Sequence, residues 1–178
     1  MKREAVDKAK KRMKDALDYF MALDGEMTYE QFEQRWSSFL NAINRAFLAI
    51  EAGARDNART RTWWSKKKHE WKKDPLLQYL HQARNADEHG LEPLSKMAPG
   101  YFTANPPPGI NPKSVSHPRL VPVRNDRFGD VFDPPVEHLG QNLHPEEIGL
   151  PWDAAAMAMG YHSRLIIEAE TYIDQPFP

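Results

Sequence analysis

The chain has 178 residues, 28% of them charged and 40% hydrophobic, with a net charge of −1 and no cysteine. That length fits one domain with a real core. The lack of cysteine removes disulfides, thiol catalysis and Cys-based zinc sites, and it fits a reducing compartment. No apolar run is long enough to span a bilayer, and Met1-Lys2-Arg3-Glu4 leads into an amphipathic helix rather than an apolar signal core, so a soluble, cytoplasmic protein with no membrane partner is expected.

The small net charge hides an asymmetry. Residues 1–75 carry 17 Lys+Arg against 12 Asp+Glu, and residues 76–178 carry 7 against 13. Such a split fits a basic binding face, or two solvated surfaces that attract each other in a dimer.

Val6, Ala9, Met13, Leu17 and Phe20 recur every three or four positions and predict a first helix over 2–22, with Lys8, Lys10, Lys11, Arg12 and Lys14 on its other faces. Asp24-Gly25 makes a turn, and Thr28 with Gln31 forms a capping box for a second helix from about Tyr29 to Glu51, closed by Gly53. Its stripe of Phe32, Trp36, Phe39, Ile43, Phe47 and Ile50 makes it the main source of core residues.

A third helical stretch follows Asp56 and interleaves Trp63, Trp64 and Trp71 with Lys66, Lys67, Lys68, Lys72 and Lys73. Rings among lysines can stack bases and hold phosphates, so Trp63, Lys66, Lys67, Lys68 and Lys72 are candidate nucleic-acid contacts. Trp64 and Trp71, seven apart, share one face, and packing of that face into the bundle with the lysines outside is the favoured reading.

The next helix has both ends marked. Asp74 can cap its free N–H groups, Pro75 suits its first position and Gly90 can terminate it. Leu76, Leu80 and Ala83 form its apolar face, and His81, Asn85, Glu88 and His89 gather on a polar one.

Residues 91–151 hold 12 of the 15 prolines and show no sustained helical period. This reads as a largely irregular arm, either wrapped on the bundle or acting as a lid. Leu120-Val121-Pro122-Val123 and Phe128-Gly129-Asp130-Val131-Phe132 suggest one short hairpin joined by residues 124–127, with Pro122 confining it to an edge. His138 and His144, with Glu137, Glu146 and Glu147, have metal-ligating side chains but no recognised spacing, so no metal site is assigned. A last helix runs from Pro151 to about Asp174, with His162 on its apolar face as a hydrogen-bonded core histidine. The expected fold is therefore all-α: a single domain, 1–178, with a four- to five-helix bundle (2–90 and 152–174) and the Pro-rich insertion (91–151) before the last helix.

Arg84-Asn85-Ala86-Asp87-Glu88-His89 holds an arginine and a histidine separated by four residues, with an asparagine directly after that arginine. This resembles the Arg-x(4–6)-His signature of the HEPN superfamily, helical-bundle proteins that include ribonuclease toxins and phage-defence factors. The resemblance implies a homodimer whose two motifs meet in a cleft, and metal-independent cleavage of RNA with no cofactor. It assigns His89 to proton transfer at the ribose 2′-OH or the leaving 5′-oxygen, Arg84 to the charge of the phosphorane, and Asn85 to orienting the scissile phosphate. Asp87 and Glu88 would stand as carboxylates beside that phosphate, and Arg84 can instead pair with Glu88 one turn on. Three functions stay open: a HEPN-like endoribonuclease, a non-catalytic helical module that dimerises or binds a protein partner through the Pro-rich arm, and a nucleic-acid-binding protein that does not cleave.

Overall fold

A computed structural model describes residues 1–23, 27–89, 93–99, 116–124, 129–145 and 147–173, with the side chains of His89 and Pro99 outside the description. The turn expected at Asp24-Gly25, the helix terminator Gly90, the Pro106–Pro108 run, residues 125–128 of the hairpin and Glu146 lie outside the described residues.

Among the described residues five helices form the bundle: α1 (Arg3–Met21), α2 (Tyr29–Ala54), α3 (Ala58–Lys73), α4 (Pro75–His89) and α5 (Pro151–Glu170). α2, α3 and α4 start where a side chain satisfies a free N–H group. The Thr28–Gln31 capping box opens α2, with Gln31 N–H donating to Thr28 Oγ1 at 3.2 Å and Thr28 N–H to Gln31 Oε1 at 2.9 Å. A second box, Asn57 with Thr60, opens α3 one residue after Asp56, which sequence reading had placed at that boundary. Asp74 caps α4 through a 2.8 Å bond from Leu77 N–H, ahead of Pro75.

α2 is the central helix. Its aromatic stripe stacks along the core, Phe32 on Trp36 and Trp36 on Phe39, and Phe47 lies between Trp64 and Trp71 of α3, with ring centroids 4.8 and 4.9 Å apart. Burying each such ring is worth about 1.5–3 kcal/mol, so this stripe contributes heavily to the core. Against its other side, α1 approaches so closely at Gly53 that a Cβ there would lie 2.5 Å from Ala5 Cβ and 2.8 Å from Met1 Sδ. α1 itself rotates slightly from the expected face: Val6, Ala9, Met13 and Ala16 are buried, while Leu17 stands 44% exposed.

The described part of the arm wraps the bundle and contributes three two-stranded antiparallel ladders rather than one. β1 (Ser95–Pro99) pairs with β2 (Ser116–Leu120), β3 (Val123–Arg124) with β4 (Val131–Phe132), and β5 (Glu137–His138) with β6 (Gln141–Asn142). The β3–β4 pair is the expected hairpin, shortened because Leu120 belongs to β2 and pairs with Ser95. Every strand of a two-stranded ladder is an edge, which is why Pro99 and Pro118 are tolerated in one. Tyr79 Oη donates to Val121 O at 2.7 Å and Tyr29 Oη to Ser95 O at 2.6 Å, fastening the arm to α4 and α2.

The tip of β5–β6 is tied to the bundle through the α4 cap. Leu139 and Gly140 take φ of 50° and 77°, the two positive values a type I′ turn requires. A leucine there is strained, but its N–H donates to Asp74 Oδ2 at 2.6 Å, and His138 Nδ1 donates to the same carboxylate at about 3 Å. No helix among the described residues is long and apolar enough to cross a membrane.

Candidate functional site

Ser37, Asn41 and Asn44 interrupt the apolar sequence of α2 at spacings of four and three, so they line one stripe of that helix. The stripe faces the polar side of α4. Ser37 Oγ donates to Asp87 Oδ2, and Arg84 Nε donates to Asn41 Oδ1 at 3.3 Å. One Arg84 η-nitrogen donates to Asn85 Oδ1 at 3.3 Å, and the other pairs with Glu88. Asn85 Nδ2 lies 3.3 Å from His81 Nε2. Five side chains of α4 and two of α2 thus form one polar seam, its two parts joined by Asn41 Nδ2 donating to Ser37 O at 3.2 Å, and the Arg84 side chain remains 23% exposed.

Beside the seam is a pocket of about 30 Å³ whose lining includes Asn44, Phe47, Trp71, His81, Arg84 and His162. It has room for one or two waters and none for a nucleobase. Anything larger could reach Arg84 only from the surface. Burial, then the neighbouring Arg84 charge, pushes His81 below the usual histidine range, so its ring is neutral at pH 7. Burial also pushes His162 down to about 4, against the opposing effect of the 2.8 Å bond between its Nδ1 and Ala158 O. That is the hydrogen-bonded core histidine expected on the apolar face of α5.

Of the three motif residues, Arg84 and Asn85 are brought together with Asn41 and His81. α4 stays helical through His89, so the backbone positions of Arg84 and His89 are about 140° apart around its axis. His89's side chain lies outside the description.

On α3 the reading of Trp63 as a base contact requires a correction. Trp63 is 8% exposed, packs on Tyr172 at 5.3 Å and donates from Nε1 to Glu168 at 3.3 Å, so its ring is not open to a base. The ring turns inward because α3 and the C-terminal turn of α5 close over it. Lys67 pairs with Glu168 at 2.9 Å and Glu70 at 3.3 Å, and Lys68 with Glu51 at 2.7 Å, while Lys66 and Lys72 are exposed. The stretch is thus a buried aromatic face with a charged outside that is paired at Lys67 and Lys68.

His138 is bound to Asp74, His144 is exposed, and no group of three His, Asp or Glu among the described residues is placed to hold a metal ion. Sequence reading missed Ser37 and Asn41 as partners of the motif. Their signal was present, as three small polar residues spaced four and three apart along one stripe of α2.

No protein-family model, curated protein or solved structure matches the chain.

Proposed function

We propose that this protein is a HEPN-like, metal-independent endoribonuclease acting as a homodimer, with Arg84, Asn85 and His89 as its working residues. The observation that carries the reading is the position of Arg84. It sits next to Asn85, held from behind by Asn41 of α2, with part of its guanidinium side open at the surface beside the pocket.

The chemistry follows from those groups. The ribose 2′-oxygen attacks the adjacent phosphorus, its proton passing to a base, and the P–O5′ bond breaks as the leaving oxygen gains a proton. The products are a 2′,3′-cyclic phosphate and a 5′-hydroxyl. His89 serves proton transfer, Arg84 balances the charge that builds on the phosphorane, and Asn85 donates to or orients the phosphate. A dimer supplies the geometry that one helix does not, because two copies of the motif meeting in a cleft offset the 140° between Arg84 and His89 on each α4. RNA phosphate takes the place of Glu88 on the outer η-nitrogen of Arg84, and Ser37 holds Asp87 away from that position.

A second reading has its own observation. The Arg84–Glu88 pair already neutralises the guanidinium, as it would in a non-catalytic helical module that binds a partner through its arm. Cleavage of RNA and of the matching DNA in excess EDTA, with wild type, Arg84→Ala and His89→Ala, separates the two. RNA-only cleavage lost in both variants supports the ribonuclease. Equal inertness of three folded proteins assigns the motif to structure.

A further inference from the structure

Arg84 can only donate hydrogen bonds, so the atom of Asn85 that faces it must be the carbonyl Oδ1. That choice fixes the rest of the amide. Asn85 Nδ2, also only a donor, is then turned to His81 Nε2, which must accept. An accepting Nε2 means a neutral ring with its proton on Nδ1. The three side chains are therefore satisfied together in one arrangement: His81 neutral, Asn85 amide toward it, Asn85 carbonyl toward Arg84.

We propose that His81 is the positioning residue of the Arg84–Asn85 pair, its neutral ring holding the Asn85 amide in the one orientation that meets the guanidinium, and its protonation releasing that hold. A proton on Nε2 would set donor against donor. Flipping the amide to satisfy the imidazolium would turn its NH₂ toward the Arg84 guanidinium, a second donor conflict. Either way Asn85 leaves Arg84. Both contacts are 3.3 Å long, at the weak end of the range, which suits a link that one protonation breaks.

The surroundings favour the neutral form. From its own helix His81 faces Arg84, whose charge opposes a second cation. From α3 it meets the Trp71 ring edge-on at 5.1 Å, and around the shared pocket α2 supplies the uncharged Asn44 and α5 the buried His162. Both burial and Arg84 place the transition below the ordinary histidine range. The Arg84–Asn85 pair is thus intact at neutral pH and dissolves under acid.

This deepens the proposed ribonuclease reading, and its test separates the two. The Asn85 side-chain NH₂ resonances are followed by ¹H–¹⁵N NMR from pH 7.5 to 4.5 beside the His81 ring signals, in wild type and in His81→Gln, whose carbonyl can accept but does not titrate. The expected result is that the wild-type amide shifts with the same midpoint as His81, below 6.5, and that His81→Gln shows no such transition. An amide indifferent to His81's titration overturns the proposal. With RNA, wild type loses more rate than His81→Gln as pH falls through the His81 midpoint, and the pH dependence left in His81→Gln belongs to His89. If the two profiles coincide although the wild-type amide titrates, the link is structural only and the positioning role fails. Absence of cleavage by wild type at every pH refutes the ribonuclease reading alone, since the amide titration still decides whether His81 sets Asn85.

Discussion

Replacing Asp74 by alanine should destabilise the fold far more than a lost helix cap. Its carboxylate is 4% exposed and accepts from Leu77 N–H, Leu139 N–H and His138 Nδ1. The cap alone is worth about 1 kcal/mol. Truncation also leaves the buried His138 Nδ1 donor without an acceptor, at about 1–3 kcal/mol, and costs the part-buried Leu139 N–H its bond, at about 1 kcal/mol. The sum, about 3–5 kcal/mol, is a large part of a typical domain's stability. Asp74→Asn should lose about 2 kcal/mol, because its Oδ1 can still cap Leu77 while its NH₂ meets donors. Urea unfolding at pH 7, followed by far-UV circular dichroism, measures both. The sign of the pH dependence follows from the same bonds. Burial pushes this carboxyl up, but the His138, Leu139 and Leu77 bonds together outweigh it and hold the group below the usual aspartate range. Its contribution is therefore complete above about pH 3.9 and is lost as pH falls from there through the lower folded value. A loss below about 1 kcal/mol in Asp74→Ala would refute the account of this contact.

Three further outcomes are expected. His162 is buried and held neutral, with its pKa pushed down to about 4, so the unfolded chain takes up its proton first on acidification. Stability should fall from pH 6.5 to 4 by up to about 3 kcal/mol, and His162→Gln should flatten that slope in urea titrations. Gly53→Ala should cost about 1–3 kcal/mol in the same assay, because its Cβ would meet Ala5 Cβ and the Met1 sulfur. Trp63→Ala should cost about 3–5 kcal/mol in thermal or urea unfolding, and Trp63 fluorescence should not be quenched by stacking when RNA is added.

Local signals were the readable ones. Thr28-x-x-Gln31 and Asp74-Pro75 mark helix starts through contacts within four residues, and the aromatic stripe of α2 repeats with the helix itself. What depended on distant partners was not readable. Asp74 reads as a cap, yet its second role needs Leu139, 65 residues away, and no spacing announces that pair. Trp63 and Trp71 look alike among their lysines, and only Glu168 and Tyr172 arriving from α5 and its C-terminal turn decide that Trp63 is covered. The β1–β2 ladder joins residues on either side of 100–115, a separation that alternation alone does not bridge. Arg84 and Asn85 were legible as a pair on one helix, whereas the Asn41 that positions Arg84 comes from α2, 43 residues earlier.

The most direct test of the proposed chemistry is cleavage, in EDTA, of an RNA and of the same RNA carrying a single 2′-deoxyribose immediately 5′ of a mapped scissile phosphate. The account predicts that the unmodified strand is cut to a 2′,3′-cyclic phosphate, that the substituted position is not cut, and that Arg84→Ala cuts neither. Cleavage continuing at the deoxy position would mean that water rather than the neighbouring hydroxyl attacks, which contradicts the account.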